Sequence, residues 1–472
     1  MQQPGPVFSN DTIVALSTPP GEGAIGIIRL SGPRAIAIAD GIFHGRNLTR
    51  VEGHTVHYGK IKTVEGEVID ECMATVFRAP RSYTREDVVE FSCHGSPYIL
   101  RKVLQMLTEG GARMARPGEF TLRAFLHGQL DLSQAEAVAD LIASESQAGH
   151  LLAMKQMRGG FSGKIKNLRR ELIDFASLLE LELDFGEEDV EFADRAKMHS
   201  LISSIQKEID SLLESFYLGN VIKQGVPTVI AGRPNAGKST LLNALLNEER
   251  AIISDIPGTT RDTIEEFISI RGIRFRLIDT AGIRSTDNEI EKQGVDRTIR
   301  EISSAMVTIY LFDVATTEPG QLQKDVKQYL VSEKSAGPGQ QVLFAANKMD
   351  LNPYVKPEMY YTDHLIGPDN LITLSAKNRM NIDDLKDKLY EMVIGDRSLG
   401  DRTIVTNSRH VDVLQKAREA LEQANTGIAS ERTGDLIALD IRQALHHLGE
   451  ITGEISTDDL LDSIFSRFCI GK

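Results

Sequence analysis

The sequence predicts a multidomain protein: a small N-terminal α+β domain, an all-α helical domain, and an α/β P-loop domain inserted between two segments of the helical one. Three observations carry this expectation. Residues 11 to about 125 alternate short β-rich runs with turns, and from about Asp131 to Gly219 apolar residues recur at helical period. Residues 226 to about 388 return to strand and helix alternation, before helices resume at His410. At 472 residues the chain is too long for one hydrophobic core, so several domains are expected.

In the N-terminal region the strand candidates are Thr12 to Ala15, Ala24 to Leu30, Thr55 to Lys62, Cys72 to Phe77 and Val88 to Cys93. Helices fit at Ala35 to Asp40 and Tyr98 to Thr108. In the helical region, Glu171 to Leu183 sets Leu172, Ile173, Phe175, Ala176, Leu179 and Leu183 on one broad apolar stripe, which needs partner helices to bury it. The next strands are Val226 to Ala231, Glu266 to Ile270, Ile273 to Ile278, Met306 to Phe312, Gln341 to Ala346 and Leu371 to Leu374. Helix-length segments between them predict a largely parallel sheet. Three helices follow, at about 410–424, 435–449 and 457–468, the last with Ser456 as a cap ahead of Asp459. The resulting domain boundaries are 1–125, 126–220, 221–388 and 389–472. Insertion between neighbouring helix ends costs little, because chain termini of domains tend to lie close together.

With 41% hydrophobic and 25% charged residues, the composition is that of a globular protein. A net charge of -14 disfavours duplex DNA as a partner, since phosphate binding needs arrays of lysine and arginine. RNA is compatible with one local basic patch; Lys164, Lys166, Arg169 and Arg170 are either such a patch or a solvated helix face. Cys72, Cys93 and Cys469 have neither metal-ligand spacing nor disulfide density, which fits a reducing cytosol. Residues 1–9 do not read as a secretory signal, and no apolar window is long enough to span a bilayer. The expectation is a cytoplasmic protein without integral membrane association.

The run Gly232-Arg233-Pro234-Asn235-Ala236-Gly237-Lys238-Ser239-Thr240 follows a β-run and opens a helix near Lys238. Its glycines let backbone N–H groups converge on phosphate oxygens, Lys238 reaches the β- and γ-phosphates, and Ser239 offers an oxygen to magnesium. Guanine is specified elsewhere. In Asn347-Lys348-Met349-Asp350, the Asp350 carboxylate can accept from N1–H and the 2-amino group of guanine, a pair that adenine does not offer. Ser375-Ala376-Lys377 ends the next strand as a backbone-rich loop toward the guanine oxygen. In Asp279-Thr280-Ala281-Gly282, Asp279 suits a water-mediated magnesium contact and Gly282 an N–H bond to the γ-phosphate. Thr260, in Gly258-Thr259-Thr260-Arg261-Asp262, suits the hydroxyl that closes over magnesium when GTP is bound.

Where small signalling GTPases carry a water-orienting glutamine, this chain has Ile283, which cannot hold water. Glu289 and Glu291 follow; each is a water-positioning group or a solvated surface acid. Cys469, next to Phe468 at an apolar helix end, is either a packing residue or a reactive thiol. Cys72 and Cys93 lie in apolar strands and read as buried. His94, beside Gly95, is a pocket residue or a packed turn histidine.

Together with these motifs, Asp11-Thr12-Ile13-Val14-Ala15, Thr18-Pro19-Pro20-Gly21, Gly26-Ile27-Ile28-Arg29, Arg116-Pro117-Gly118-Glu119-Phe120-Thr121, Arg123-Ala124-Phe125-Leu126, Asp131-Leu132-Ser133-Gln134-Ala135-Glu136-Ala137 and the terminal Cys469-Ile470-Gly471-Lys472 give a likeness along essentially the whole chain. The sequence resembles the tRNA modification GTPases called MnmE or TrmE, potassium-stimulated G proteins. The resemblance implies an N-terminal folate-binding and dimerising domain, hence a homodimer, with a helical domain into which the G domain is inserted. It further implies a flavoprotein partner of the MnmG (GidA) type, which supplies FAD and NADH chemistry. The pair would install an aminomethyl or carboxymethylaminomethyl group on C5 of the wobble uridine of certain tRNAs, with 5,10-methylenetetrahydrofolate or a related one-carbon tetrahydrofolate as donor.

Residue by residue, the resemblance puts a potassium ligand on Asn235 and a potassium loop on Ser254, Asp255, Ile256, Pro257, Gly258 and Thr259. Ser254, Ile256 and Thr259 would complete the shell. It assigns water orientation to Glu291, leaving Glu289 solvated, and implicates Cys469 in the modification chemistry. Folate contacts fall on Arg29, Glu90, Gln129 and Lys472; Gln129 stands where the family commonly has lysine, keeping a hydrogen bond but losing an ionic one. Two other classes of function compete: a ribosome-assembly or translation G protein, and a regulatory GTPase scaffold that performs no modification chemistry.

Overall fold

The computed structural model describes residues 11–184, 195–248, 266–278, 302–303, 305–329, 340–362, 365–395, 403–430 and 432–471. The chain divides into two compact units. One comprises Met1–Ile142, Met154–Gln206 and Val413–Lys472; the other comprises Ala143–Ala153 and Lys207–Asp412. Both are built from segments distant in sequence.

The first unit starts with a seven-stranded sheet. Its strands are β1 (Ile13–Leu16), β2 (Gly23–Ser31), β3 (Phe43–His44), β4 (Thr55–Lys62), β5 (Val68–Phe77), β6 (Val88–Gly95) and β7 (Arg113–Met114), in the order β3-β4-β5-β6-β2-β1-β7. Only β1 and β7 pair in parallel. Helices α1 (Ala35–Ile42) and α2 (Pro97–Glu109) bury one face through Ile38, Leu100, Val103 and Leu107 against Ile28, Ala74, Phe91 and Cys93. The period-2 alternation that marks such strands is clear in β5, where Asp70, Cys72, Ala74 and Val76 are buried while Glu71 and Met73 are exposed. Cys72 and Cys93 are both buried, as expected.

Helices α3 (Glu119–Leu126), α4 (Leu132–Ile142), α5 (Gln147–Met157), α6 (Gly160–Asp184), α7 (Arg195–Gln224) and, after the second unit's sheet, α11 (Ser408–Ala429), α12 (Gly434–Thr452) and α13 (Asp458–Phe465) provide the helical layer. Along α6 the predicted stripe buries Leu172, Phe175 and Ala176, but Ile173 is 46% exposed, since it sits one residue off the face that α12 covers. Lys166 pairs with Asp131 at 3.1 Å and Arg169 pairs with Glu454, so the basic run on α6 is partly neutralised. Helix α13 is capped by Thr457, whose hydroxyl accepts from Leu460 N–H at 3.3 Å; Ser456, the expected cap, lies one residue too early. That helix ends at Phe465 instead of continuing to 468.

The second unit holds a six-stranded sheet of β8 (Val226–Ala231), β9 (Glu266–Ile270), β10 (Ile273–Leu277), β11 (Val307–Asp313), β12 (Gln341–Asn347) and β13 (Leu371–Thr373), in the order β13-β12-β11-β8-β10-β9. All pairs are parallel except the β9–β10 hairpin. Strand β11 is buried at all seven positions, the mark of a strand covered on both faces. Helices α8 (Lys238–Glu248), α9 (Pro319–Tyr329) and α10 (Ile382–Ile394) supply the covering layers. The fold class is therefore the expected one: an α+β N-terminal domain, a helical layer and an inserted P-loop sheet.

Candidate functional site

Ligands of doubly wound sheets bind beyond the carboxyl ends of the strands, where the order reverses. Strand β8 stands at that place, between β10 and β11, and the loop Gly232–Gly237 leaves it to enter α8 at Lys238. Three residues of this loop have positive φ: Gly232 at 144°, Asn235 at 63° and Gly237 at 101°. Asparagine tolerates the left-handed region; the two glycines have a further reason. A Cβ on Gly232 would lie 2.1 Å from the Leu311 carbonyl oxygen, and one on Gly237 would lie 2.3 Å from Asn347 Nδ2. Lys238 folds back over the loop, donating to the carbonyls of Gly232 at 2.8 Å and Arg233 at 2.9 Å. Burial pushes its ammonium below the ordinary lysine value, which makes it responsive to an incoming anion. Asn235, Ser239 and Thr240 are exposed around it, and Ala236 is buried. Arg233 is anchored away from the loop by a two-pronged ion pair with the buried Asp325, at 2.6 and 2.7 Å.

Asn347, the last residue of β12, joins the three loops. Its Nδ2 donates to the Ala236 carbonyl at 2.8 Å and its Oδ1 accepts from Ala376 N–H at 3.0 Å. The side chain is buried, so both bonds are made out of water, where an unmade one is costly. Lys348 follows at φ 66°, a left-handed conformation that side-chain-bearing residues rarely adopt. Its Nζ donates to Asp313 at 2.7 Å. The exposed Asp350 has one carboxylate oxygen held by the Ser375 hydroxyl at 2.6 Å. Lys377 is exposed on the same loop. Phosphate loop and base loops, 111 and 29 residues from Asn347 on its two sides, thus converge on one buried amide.

Several expected residues lie outside the described ones: Ser254, Asp255, Ile256, Pro257, Gly258, Thr259, Thr260, Asp279, Thr280, Ala281, Gly282, Glu289, Glu291 and Lys472.

In the first unit, Arg29 on β2 and Glu90 on β6 are register partners, and Arg29 Nε donates to Glu90 Oε1 at 2.7 Å. Each side chain is 22% exposed. The guanidinium lies over the rings of Tyr83 and Phe120, at 5.8 and 5.7 Å, and its Nη1 reaches the Gly471 carbonyl at 3.5 Å. Gln129 is exposed and accepts from Arg85 Nε at 2.9 Å; Arg85 also donates to the His127 carbonyl at 3.0 Å. Arg85 has φ 60°. Sequence reasoning missed Tyr83, Arg85 and Phe120. The motif containing Phe120 was noted, but nothing in it says that its ring meets Arg29.

Beneath this surface runs a charge network. Arg123 bonds Asp11 at 2.6 Å, Glu86 at 3.1 Å and Glu119 at 3.2 Å, and Arg113 bonds Asp11 and Glu119 at 2.7 and 2.6 Å. Burial, the largest influence on Glu119, pushes its carboxyl up. The Arg113 hydrogen bond, the Arg116 N–H and the charges of Arg113 and Arg123 outweigh it and hold the group below the ordinary glutamate value. Cys469 is exposed, not packed, because the buried ring is that of Phe468. The His94 ring is exposed and pairs with Asp70 at 2.7 Å. Among the described residues no group of three or more His, Cys, Asp or Glu side chains could hold a metal ion, and no helix is long and apolar enough to cross a membrane.

A phosphate loop tied through Asn347 to an Asn-Lys-Met-Asp loop and a Ser-Ala-Lys loop, on a largely parallel sheet, defines the P-loop GTPase class. Comparison with known proteins narrows the class. The family model described as MnmE helical domain matches residues 132–469, and that described as GTP-binding protein TrmE N-terminus matches residues 12–129. The "tRNA modification GTPase MnmE" of Cytophaga hutchinsonii is 54% identical over 462 residues, covering 98% of each chain. The protein of the same name from Christiangramia forsetii is 51% identical over 473 residues, covering 98% of this chain and 99% of that one. The one from Bacteroides fragilis is 46% identical over 475 residues, covering 98% and 100%. The chain belongs to the MnmE family.

Proposed function

We propose that this protein hydrolyses GTP to GDP and phosphate in the modification of the tRNA wobble uridine at C5, using a one-carbon unit derived from folate. The observation that carries the GTPase half is the Asn347 amide, which fixes the phosphate loop and the base loops in one arrangement. Family membership along the whole chain carries the tRNA half.

For the nucleotide, the backbone of residues 232–237 and Lys238 receive the phosphates, and Asp350 accepts from the guanine edge while Ser375 orients it. Lys238 exchanges its two carbonyl partners for phosphate oxygens. Asp279, Thr280, Ala281 and Gly282 would contribute from the strand end after β10. The residues present fit both cations: Ser239 is exposed at the first turn of α8, and Asn235 is exposed on a left-handed turn. Ser239 and Thr260 would hold magnesium; Asn235, Ser254, Ile256 and Thr259 would hold potassium. Both ions, when bound, offset negative charge on the phosphates. Glu291 would orient the attacking water.

For the folate, the Arg29–Glu90 pair fits. It spends one carboxylate oxygen and Nε on itself and Nη1 on the Gly471 carbonyl, leaves the other carboxylate oxygen and Nη2 beside two aromatic rings, and is only partly screened by water. Gln129 and Lys472 would complete the contacts, and Cys469 would stand near the transferred carbon. The working assembly is a homodimer with a flavoprotein of the MnmG type and tRNA, acting in the cytoplasm, without DNA and without membrane insertion.

The test is mass-spectrometric nucleoside analysis of bulk tRNA from cells lacking the protein, complemented with native protein or with Lys238→Ala. Loss of the C5 modification on deletion, restored by the native protein alone, is the expected result. Unchanged nucleosides on deletion would overturn the tRNA role and leave the GTPase. Purified protein is expected to hydrolyse GTP faster in potassium than in sodium chloride.

A further inference from the structure

The last residues of the chain leave α13 at Phe465 and are fastened at three places, to the helices, to the turn before α3 and to the N-terminal sheet. Phe468 is buried in a cluster with Leu132, Ala135, Leu461 and Phe465, its ring 5.4 Å from that of Phe465. Ile470 forms a bridge with Pro117, and the Cys469 carbonyl accepts from Gly118 N–H at 3.4 Å. Finally, the Gly471 carbonyl accepts from the Ser17 hydroxyl at 3.1 Å and from Arg29 Nη1 at 3.5 Å. Ser17 is itself fixed, its N–H donating to the Ile27 carbonyl at 2.7 Å.

Phe468 and Gly471 are buried; Cys469 and Ile470, between them, are exposed. The thiol therefore sits on a two-residue span pinned at both ends. The far pin requires glycine twice over. Gly471 has φ 95°, and a Cβ there would lie 2.3 Å from the Leu16 carbonyl oxygen. The Gly471 carbonyl itself meets Arg29, which also holds Glu90, so the pin and the Arg29–Glu90 pair share one guanidinium.

We propose that Ser17 is a positioning residue: with Arg29 it latches the Gly471 carbonyl and thereby holds the Cys469 thiol at the edge of the Arg29–Glu90 site. The hydroxyl is the shorter of the two contacts on the Gly471 carbonyl, and Arg29 is shared with Glu90, so Ser17 sets how firmly the far pin holds, while Pro117 and Gly118 hold the span along its backbone. The latch gains its use from the tRNA reading above, but it is testable without folate or tRNA.

Cys469 is the exposed one of the three cysteines, so a methanethiosulfonate nitroxide labels it in the native full-length chain. Electron paramagnetic resonance then reads the motion of the span. The native protein is expected to give a broad, immobilised spectrum. Ser17→Ala and Gly471→Ala are expected to raise the narrow, mobile component by about two- to tenfold, the range that one hydrogen bond commands. Ser17→Thr, which keeps the hydroxyl, is expected to restore the native line shape, a rescue that a packing role would not give. Thermal melting by circular dichroism checks that each variant folds. A mobile span in the native protein, or one line shape shared by native, Ser17→Ala and Gly471→Ala, would overturn the latch and leave the tRNA role standing. Failure of the tRNA role is read separately, by nucleosides unchanged on deletion.

Discussion

The nucleotide pocket and the tail site are built by opposite means. In the pocket, a contiguous run of residues does most of the work with its backbone; Gly232, Asn235 and Gly237 supply the turns and Lys238 the charge. At the tail, Arg29, Glu90 and Phe120 come from β2, β6 and α3, and Ser17, Tyr83 and Gly471 from three separate connecting segments; the Ser17–Gly471 bond spans 454 residues. A backbone-built site is a property of a short peptide in the right place. A side-chain-built site is a property of the whole unit, so its integrity depends on the charge network beneath it.

The largest effect that sharpens this contrast is on base choice. Asp350→Asn replaces an acceptor pair with one donor and one acceptor, and removes the charge from both bonds to guanine. GTP affinity is expected to fall by roughly two to four orders of magnitude, while xanthosine triphosphate, with an acceptor at C2, gains. Nucleotide-competition binding checks both directions. The tail line shape is expected to stay native, because Asp350 belongs to the second unit and the tail to the first.

The converse variant is Glu119→Gln, which removes the carboxylate charge facing Arg113 and the buried Arg123 and turns one of its two acceptor oxygens into a donor. A loss of about 2–4 kcal/mol of stability is expected from melting curves. The sign of its pH dependence follows from the depressed carboxyl of Glu119. Its stabilisation is fully present above the unfolded glutamate value, ordinarily about 4.3, and is lost as pH falls through the lower folded value. Native protein should therefore lose stability below about pH 4.5, whereas Glu119→Gln should lose less of it there.

Third comes Asn347→Ala, which removes the amide that joins the loops. The Ala236 carbonyl and the Ala376 N–H lose a buried partner each. GTP affinity is expected to drop about 10- to 100-fold, as read by equilibrium binding. If the loops were fixed by their own backbones alone, affinity would stay within about twofold, and the pocket would be backbone-built throughout.

What was legible in the sequence divides along the same line. Strands β4, β8 and β9 match their predicted bounds, because alternation or an unbroken apolar run marks both ends. Strand β5 starts four residues before the expected Cys72, because Asp70 reads as a turn residue while it is in fact buried and bonded to His94. The two-residue strands β3 and β7 are too short to show a period. The phosphate and base motifs placed Gly232 to Lys238, Asn347 and Asp350 in order. The bond from Asn347 to Ala236 has no mark in either motif, because both partners sit in runs already explained. Arg29 and Glu90 came only through resemblance; from spacing alone, nothing says that residues 61 positions apart are register partners. From spacing alone Cys469 reads more readily as packing than as chemistry, since a helix through residue 468 would turn it inward. Ending the helix at Phe465 turns it out.

The smallest effect concerns Gln129, where the family commonly has lysine. The structure places Arg85 Nε 2.9 Å from its carbonyl oxygen, so a cation stands beside a position that carries none itself. Arg85 occupies the left-handed region at φ 60°, a conformation held by its bonds to Gln129 and the His127 carbonyl. If Arg85 supplies the missing charge, Gln129→Ala should weaken tetrahydrofolate binding only about two- to threefold, through a looser Arg85, whereas Arg85→Ala should cost about tenfold. Gln129→Lys should then do worse than Gln129→Ala, because two cations would face each other without the carbonyl between them. Isothermal titration with tetrahydrofolate ranks the three. Equal affinities for native and Arg85→Ala would mean that the site recognises its ligand without a charge at this corner, leaving Arg29 as the cation that matters.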